Sequence, residues 1–294
     1  MSDSNSIINL GELAKPATVL VEKISDAVGG IARPWQIKRV AQAEAEADRI
    51  RAVTQIEVTE LQRRAMRRML MEEAKKQNNI EAITAKALPH LSEEAKPENI
   101  EDDWLTNFFD KGRLISDEQM QRLWAEILAG EANAPGKFSK RTINLLAGLD
   151  KIDAQSFSSV CRFSVSLNER TPLIYDWNHK IYTNQGVNFA MLSHLDSIGL
   201  IHFQNSMGSY NIGVESPKGY VRYFDQALWI EFPTPEYCRL DVGRVLLTLP
   251  GRQLAQFAEV QPVDGFAQYV REQWKQHGYK TEPDPLPIPP VAGN

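Results

Sequence analysis

The chain has 294 residues, a formal net charge of −5, and 43% hydrophobic against 24% charged residues. These proportions give ample apolar material for a core and exclude wholesale disorder, while the mildly acidic total argues against a non-specific nucleic-acid binder. No run reaches the roughly 18 uncharged apolar residues that a membrane-spanning helix needs, and two isolated cysteines, Cys161 and Cys238, with no secretory signal predict a reducing, cytoplasmic setting.

Residues 1–6 are polar. From Pro16 to Ile31 the apolar positions Ala17, Leu20, Val21, Ile24, Ala27, Val28 and Ile31 follow helical spacing, and the helix stops at Gly29-Gly30. The face Leu20, Val21, Ile24, Val28, Ile31 has two readings: packing on the protein's own core or a neighbouring subunit, or lying in a membrane interface. One Lys against two acids on the polar side disfavours anionic lipid.

Pro34 then suits a helix start, and Gln36 to Gln77 contains neither Gly nor Pro, which predicts one long helix. Its narrow stripe, Ala43, Ala47, Ile50, Thr54, Val58, Leu61, Ala65 and Met69, repeats at roughly 3.7 residues per step, closer to an eleven-residue repeat than to a heptad. Arg63, Arg64, Arg67 and Arg68 fall within an arc of about 140°. That arc is either a solvated face or an electrostatic docking face for an acidic partner, phosphate or lipid headgroup. Residues 33–77 sum to +4 and residues 78–131 to −7, so a basic helix and an acidic segment are neighbours in sequence.

Further on, Ile80–Leu88 reads as a helix broken at Pro89. Trp104–Phe109 and Asp117–Leu128 follow, the latter capped by Ser116 and ended by Gly130. Trp104, Leu105, Phe108, Phe109, Leu123, Trp124, Ile127 and Leu128 are the expected core cluster. Arg141–Leu149 and Ala154–Phe163 read as two more helices.

After Thr171 the signals change. Ile174–Trp177 and Lys180–Tyr182 read as short strands, Asn188–Ile198 as a helix, and Leu200–Phe203 with Tyr210–Val214 as a hairpin. Tyr220–Phe224, Leu228–Phe232 and Leu240–Thr248 are further strands, with a turn at Pro250-Gly251. Phe266–His277 is a closing helix, and Pro283–Pro290 a proline-rich tail with a PxxP match. Helix, glycine and hairpin resemble a winged-helix module. The expected fold is therefore α+β, mainly α: an amphipathic helix plus a long assembly helix over 1–77, a helical domain over 78–165, a winged-helix-like domain over 166–280 and a proline-rich tail over 281–294.

The runs Lys15-Pro16-Ala17 to Gly29-Gly30, Pro34-Trp35-Gln36-Ile37-Lys38-Arg39 and Ala41-Gln42-Ala43-Glu44-Ala45-Glu46-Ala47 resemble the N-terminal signature of a bacterial family of unknown function. The similarity continues through Ile198-Gly199-Leu200-Ile201 and Val245–Gly251. The resemblance implies no activity and no catalytic residues. The N-terminal run is also similar to bacterial abortive-infection proteins, which implies a place in anti-phage defence.

Little in the chain points to chemistry. His90, His179, His194, His202 and His277 match neither HExxH nor a zinc-finger spacing. GxGxxG, P-loop and GxSxG patterns are missing, and Glu94-Ala95-Lys96 has no strand to hold it as a nuclease motif. No cofactor, metal or catalytic residue is expected. The sequence supports a non-enzymatic, self-assembling protein that acts through homo-oligomer formation and a protein partner. The alternatives are a nucleic-acid-binding regulator, disfavoured because Asn188–Ile198 holds no Lys or Arg, and a membrane-acting effector working through residues 7–31.

Overall fold

The computed structural model describes residues 14–29, 59–167, 169–234, 236 and 238–281. Residues 30–58, most of the expected long helix, and the tail beyond Thr281 lie outside the described residues. The fold is α+β, mainly α, and the chain divides into two compact units, residues 1–147 and 148–294.

The first unit is helical. Helix α1 (Lys15–Val28) carries Pro16 in its first turn, where a missing N–H costs nothing, and ends at Gly29 in the left-handed conformation. Its apolar face is turned inward. Leu20, Val21 and Ile24 are buried and Val28 half-buried, against a tight turn at Pro97–Asn99 and helix α3 (Asp102–Gly112). Lys23 fastens the contact, with Nζ donating to the Glu98 carbonyl at 2.9 Å and pairing with Asp102 at 3.2 Å.

Helix α2 runs from Glu60 to Ala87 without interruption. It begins at a capping box in which Thr59 and Gln62 satisfy each other's backbone N–H. The sequence expectation of a helix ending at Gln77 and a second one at Ile80–Leu88 is corrected here. The Gln77-Asn78-Asn79 stretch stays helical because Asn79 Nδ2 donates to the Arg113 carbonyl at 2.8 Å. Termination comes at Leu88, followed by Pro89 in a 3-10 turn.

Helix α4 (Glu118–Asn133) packs along the C-terminal half of α2. Its cap is Asp117, which accepts from the Met120 N–H at 3.0 Å, one residue beyond the expected Ser116. The helix also passes through Gly130 instead of stopping there. A Cβ at that position would lie 2.8 Å from the Phe138 ring, so Gly130 makes room for an aromatic side chain. Helix α5 (Lys140–Leu146) closes the unit, with Ser139 as its cap. At the centre, Phe108 stacks on Trp104 at 5.0 Å and meets Trp124 at 4.8 Å, while Trp104 Nε1 donates to the Phe138 carbonyl. Leu123, expected in this core, is only half-buried.

The second unit opens with α6 (Lys151–Cys161), strands β1 (Ser164–Ser166) and β2 (Arg170–Pro172), and helices α7 (Lys180–Thr183) and α8 (Phe189–Ser197). The strands expected at Ile174–Trp177 and Lys180–Tyr182 are absent among the described residues. His179 Nδ1 accepts from the Ile181 N–H and starts α7 instead, and Ile174 makes only one bridge, to Gly243.

Strands β3 (Ile201–Phe203) and β4 (Tyr210–Gly213) do not pair with each other as a hairpin. β3 pairs with β8 (Val245–Leu247) and β4 with β7 (Arg239–Gly243), all antiparallel. Bonds from Gln204 N to Arg244 O and from Val214 N to Cys238 O continue the same ribbon. The reason lies in burial: Ile201 and Phe203 face inward beside Leu247 and Val245, a match that the half-buried Tyr210 and Ile212 do not offer.

Strands β5 (Lys218–Tyr223) and β6 (Gln226–Glu231) form a hairpin inserted in that ribbon, and β5 joins β1, giving a sheet ordered β2-β1-β5-β6. Helix α9 (Leu249–Ala255) replaces the expected Pro250-Gly251 turn, since Thr248 caps it and Pro250 occupies the first turn. Helix α10 (Phe266–Gln276) covers the core, where Phe163, Tyr182, Tyr223, Phe266 and Trp274 are all buried. Buried phenols keep partners here. Tyr182 donates to Leu173 O and Tyr175 to Asp241 O, and burial pushes both phenols well above the ordinary value.

Candidate interaction surface

Helix α2 is 28 residues long, about 42 Å, and its two halves live in different surroundings. Asn79, Ile80, Ile83, Thr84 and Ala87 are buried, most of them against α4. Leu61, Met66, Met69, Leu70 and Met71, by contrast, are 67%, 51%, 66%, 62% and 70% exposed. Exposed apolar side chains are ordinary when scattered, but the first four share one side of the helix and make a patch, with Met71 on the opposite side.

Arg63, Arg64, Arg67 and Arg68 are exposed on the same segment. Arg68 pairs with Glu72 at 3.5 Å, and Lys76 with Glu73 at 2.6 Å in the next turn. Several acids of the neighbouring segment 78–131 have partners of their own within the unit. Asp102 meets Lys23, Asp103 meets Lys140, and Asp110 meets Lys111 and Arg113. The Asp110 carboxyl accordingly lies below its ordinary value, chiefly through its hydrogen bond from Lys111.

Of the N-terminal apolar face, Leu20, Val21 and Ile24 sit in the first unit's own core, Val28 is half-buried, and Ile31 lies outside the described residues.

A cleft of about 660 Å³ occurs in the second unit, walled by Pro172, Ile212, Val221 and Leu240, with Glu169 and Arg252 paired at 3.1 Å on its lining. Elsewhere in that unit Ser209, Asp241 and His277 form a cluster that motif reading missed, because the three are distant in sequence. Both Ser209 Oγ and His277 Nε2 lie 2.9 Å from Asp241 Oδ2. The carboxylate sits between hydroxyl and imidazole, so the ring is placed to orient Asp241 and not to deprotonate the serine. Among the described residues there is no group of three His, Cys, Asp or Glu side chains able to hold a metal ion, and no helix long and apolar enough to cross a membrane.

A family model described as Protein of unknown function (DUF2806) matches residues 63–271. The chain belongs to this family. The DUF2806 match starts inside the bare half of α2 and ends within α10, so it takes in the four arginines and most of both cores but not α1 or Trp274. The segments Ile198–Ile201 and Val245–Gly251 lie inside the DUF2806 region, whereas the run Lys15–Ala47 precedes it. No curated protein and no solved structure matches the chain.

Proposed function

We propose that this protein acts without catalysis, by associating with itself and with a protein partner, and that the N-terminal half of α2 is where it associates with itself. The observation that carries the reading is the single helix whose apolar side is covered along one half and bare along the other. Isolated helical segments of this length are marginal in water, and packing of an apolar face is what normally stabilises them. A solution mass at micromolar concentration and physiological salt tests the reading. An oligomer is expected, and a strict monomer overturns it.

A second reading has its own support. The order α7, α8, β3 and β8, with Ile174 bridging to Gly243, supports the winged-helix reading of this unit. In that reading α8 is the element that meets a partner. It carries no Lys or Arg, so protein recognition suits it better than duplex readout. Fluorescence anisotropy with duplex and single-stranded oligonucleotides at low salt separates the two, because phosphate contacts make binding steeply salt-dependent. A membrane role through residues 7–31 is disfavoured by the burial of Leu20, Val21 and Ile24. Liposome flotation of the full chain is its test.

A further inference from the structure

We propose that the segment beyond Thr281 adds a fifth strand to the β2-β1-β5-β6 sheet, with Glu282 opposite Trp229 and Asp284 opposite Ala227, so that the chain itself closes the open edge of β6. The proposal is independent of α2 and of the self-association reading.

Its starting point is a bridge already in the structure. After α10 the chain returns to the sheet, where Lys280 N donates to the Glu231 carbonyl and Glu231 N to the Lys280 carbonyl, both at 2.9 Å. The bridge is antiparallel and lies on the side of β6 away from β5. The side chains agree, since Lys280 Nζ lies 3.7 Å from Glu231 Oε1.

In an antiparallel ladder successive residues turn their N–H and C=O to opposite sides. Phe232 N donates to the Pro217 carbonyl at 2.8 Å, so Leu228 and Ile230, at even steps from it, turn their backbone groups to β5. Trp229 and Ala227 turn theirs to the same open side as Glu231. Among the described residues no backbone group meets them there. Such an edge is a template for another strand.

The sequence beyond the bridge fits that edge in one register. From Glu282 to Pro289 it reads Glu-Pro-Asp-Pro-Leu-Pro-Ile-Pro, with proline at every odd position. Proline has no N–H to give. Continuing the register of Lys280 and Glu231 turns the N–H groups of Glu282 and Asp284 toward Trp229 and Ala227, and leaves the backbone nitrogens of Pro283 and Pro285 facing outward. A shift by one residue would set prolines against β6 and forfeit those donors. The outward side offers no N–H at either proline, which is how natural sheets end without recruiting a further strand. Glu282 and Asp284 each precede a proline, a setting that restricts them to extended conformations. Little backbone freedom is left to lose on docking.

Side-chain rows across the sheet support the same pairing. Lys218, Glu231 and Lys280 form one row of alternating charge. Four residues on, Asp284 falls in the row of Arg222 and Ala227, an acid about 10 Å along the sheet from a basic residue, with only a methyl group between them. Pro283 falls in the row of the buried Val221 and Leu228 and extends their apolar side. The pairing ends at Pro285, opposite Gln226, where β6 begins.

Amide hydrogen exchange in the full chain tests the strand. The Trp229 and Ala227 amides are expected to exchange at least about tenfold more slowly in the wild type and in Pro283→Ala/Pro285→Ala than in Glu282→Pro/Asp284→Pro, where the donors facing β6 are removed. Equal rates in all three proteins overturn the proposal, and so does protection lost in the alanine variant. Register is read separately by disulfide formation in a Cys238→Ser background that keeps the buried Cys161. Ala227→Cys/Asp284→Cys is expected to close within one chain under mild oxidation, because hydrogen-bonded partners sit with Cα atoms about 5.5 Å apart. Ala227→Cys/Pro285→Cys is not, since neighbouring positions of a strand point to opposite faces. No disulfide in the first variant, or equal yield in both, overturns the proposal even where the introduced prolines disturb folding.

Discussion

His194 Nε2 lies 2.7 Å from Asp153 Oδ1 and ties α8 to the first turn of α6. The other carboxylate oxygen accepts from the Asp150 N–H at 2.9 Å, closing the capping box of α6. Burial pushes the Asp153 carboxyl up, but the hydrogen bonds from His194 and Asp150 outweigh it and hold the group below 3.8. A carboxyl lowered on folding adds stability that is present above the unfolded value and lost as pH falls through the folded value. Asp153→Asn is therefore expected to cost about 1–2 kcal/mol at neutral pH, with the gap to the wild type closing in acid below the ordinary aspartate range. Urea unfolding of both proteins at neutral and acid pH checks this, and a gap that stays constant refutes it.

Glu131 shows the opposite sign. Its two oxygens accept from Gly136 N at 2.6 Å and Phe138 N at 2.8 Å, which shapes the loop between α4 and α5. Burial nevertheless raises the carboxyl above 4.5, against the pull of those backbone bonds. A carboxyl raised on folding contributes stability that is complete below the unfolded value and lost as pH rises through the folded one. Glu131→Gln should flatten this decline between about pH 4 and neutrality. Glu131→Ala should cost about 2–4 kcal/mol, because two N–H groups lose their acceptors. Denaturant midpoints across that pH range read both effects.

The two halves of α2 should respond differently to truncation. Ile83 is fully buried, and Ile83→Ala is expected to cost about 2–5 kcal/mol. Leu61→Ala, measured at concentrations where the chain is monomeric, should stay within about 0.5 kcal/mol. Thermal unfolding of the two variants is sufficient, and a large loss at Leu61 under those conditions would place that residue in a monomer core.

Cys161 is buried, and burial pushes its thiol up to about 12. A thiol reagent at neutral pH should label no more than one cysteine per native chain, at half-buried Cys238, and two after unfolding in denaturant. Modification of Cys161 in the native chain, located by peptide mass, contradicts the packing of α6.

Much of this architecture could be read from local pattern. The period of Leu20, Val21 and Ile24 places α1, and the Trp104–Phe109 and Trp124–Leu128 clusters place the first core, because a single apolar face decides both. Non-local choices escaped. The partners of β3 and β4 are tens of residues away, and nothing near Phe203 names Val245. Side-chain capping also overrode propensity: His179 starts a helix in Lys180–Thr183, although Ile181, Tyr182 and Thr183 suit a strand, and Thr248 turns a Pro-Gly pair into a helical first turn. The arginine arc was visible in sequence. That the apolar side of the same segment stays bare was not, because amphipathy states which face seeks cover and not which half receives it.

Gly243 joins β7 to β8 at the point where Ile174 bridges to the ribbon. Its φ is +81°, and a Cβ there would lie 2.2 Å from the Ile174 carbonyl oxygen. Two penalties coincide at one residue, backbone conformation and backbone collision, and neither yields to a change in a neighbouring side chain. In a saturation library, position 243 should thus tolerate no replacement, alanine included, while the exposed positions of β5 and β6 drift freely. At Gly243 the ribbon is fixed in sequence space by the carbonyl of a residue about 70 positions earlier in the chain.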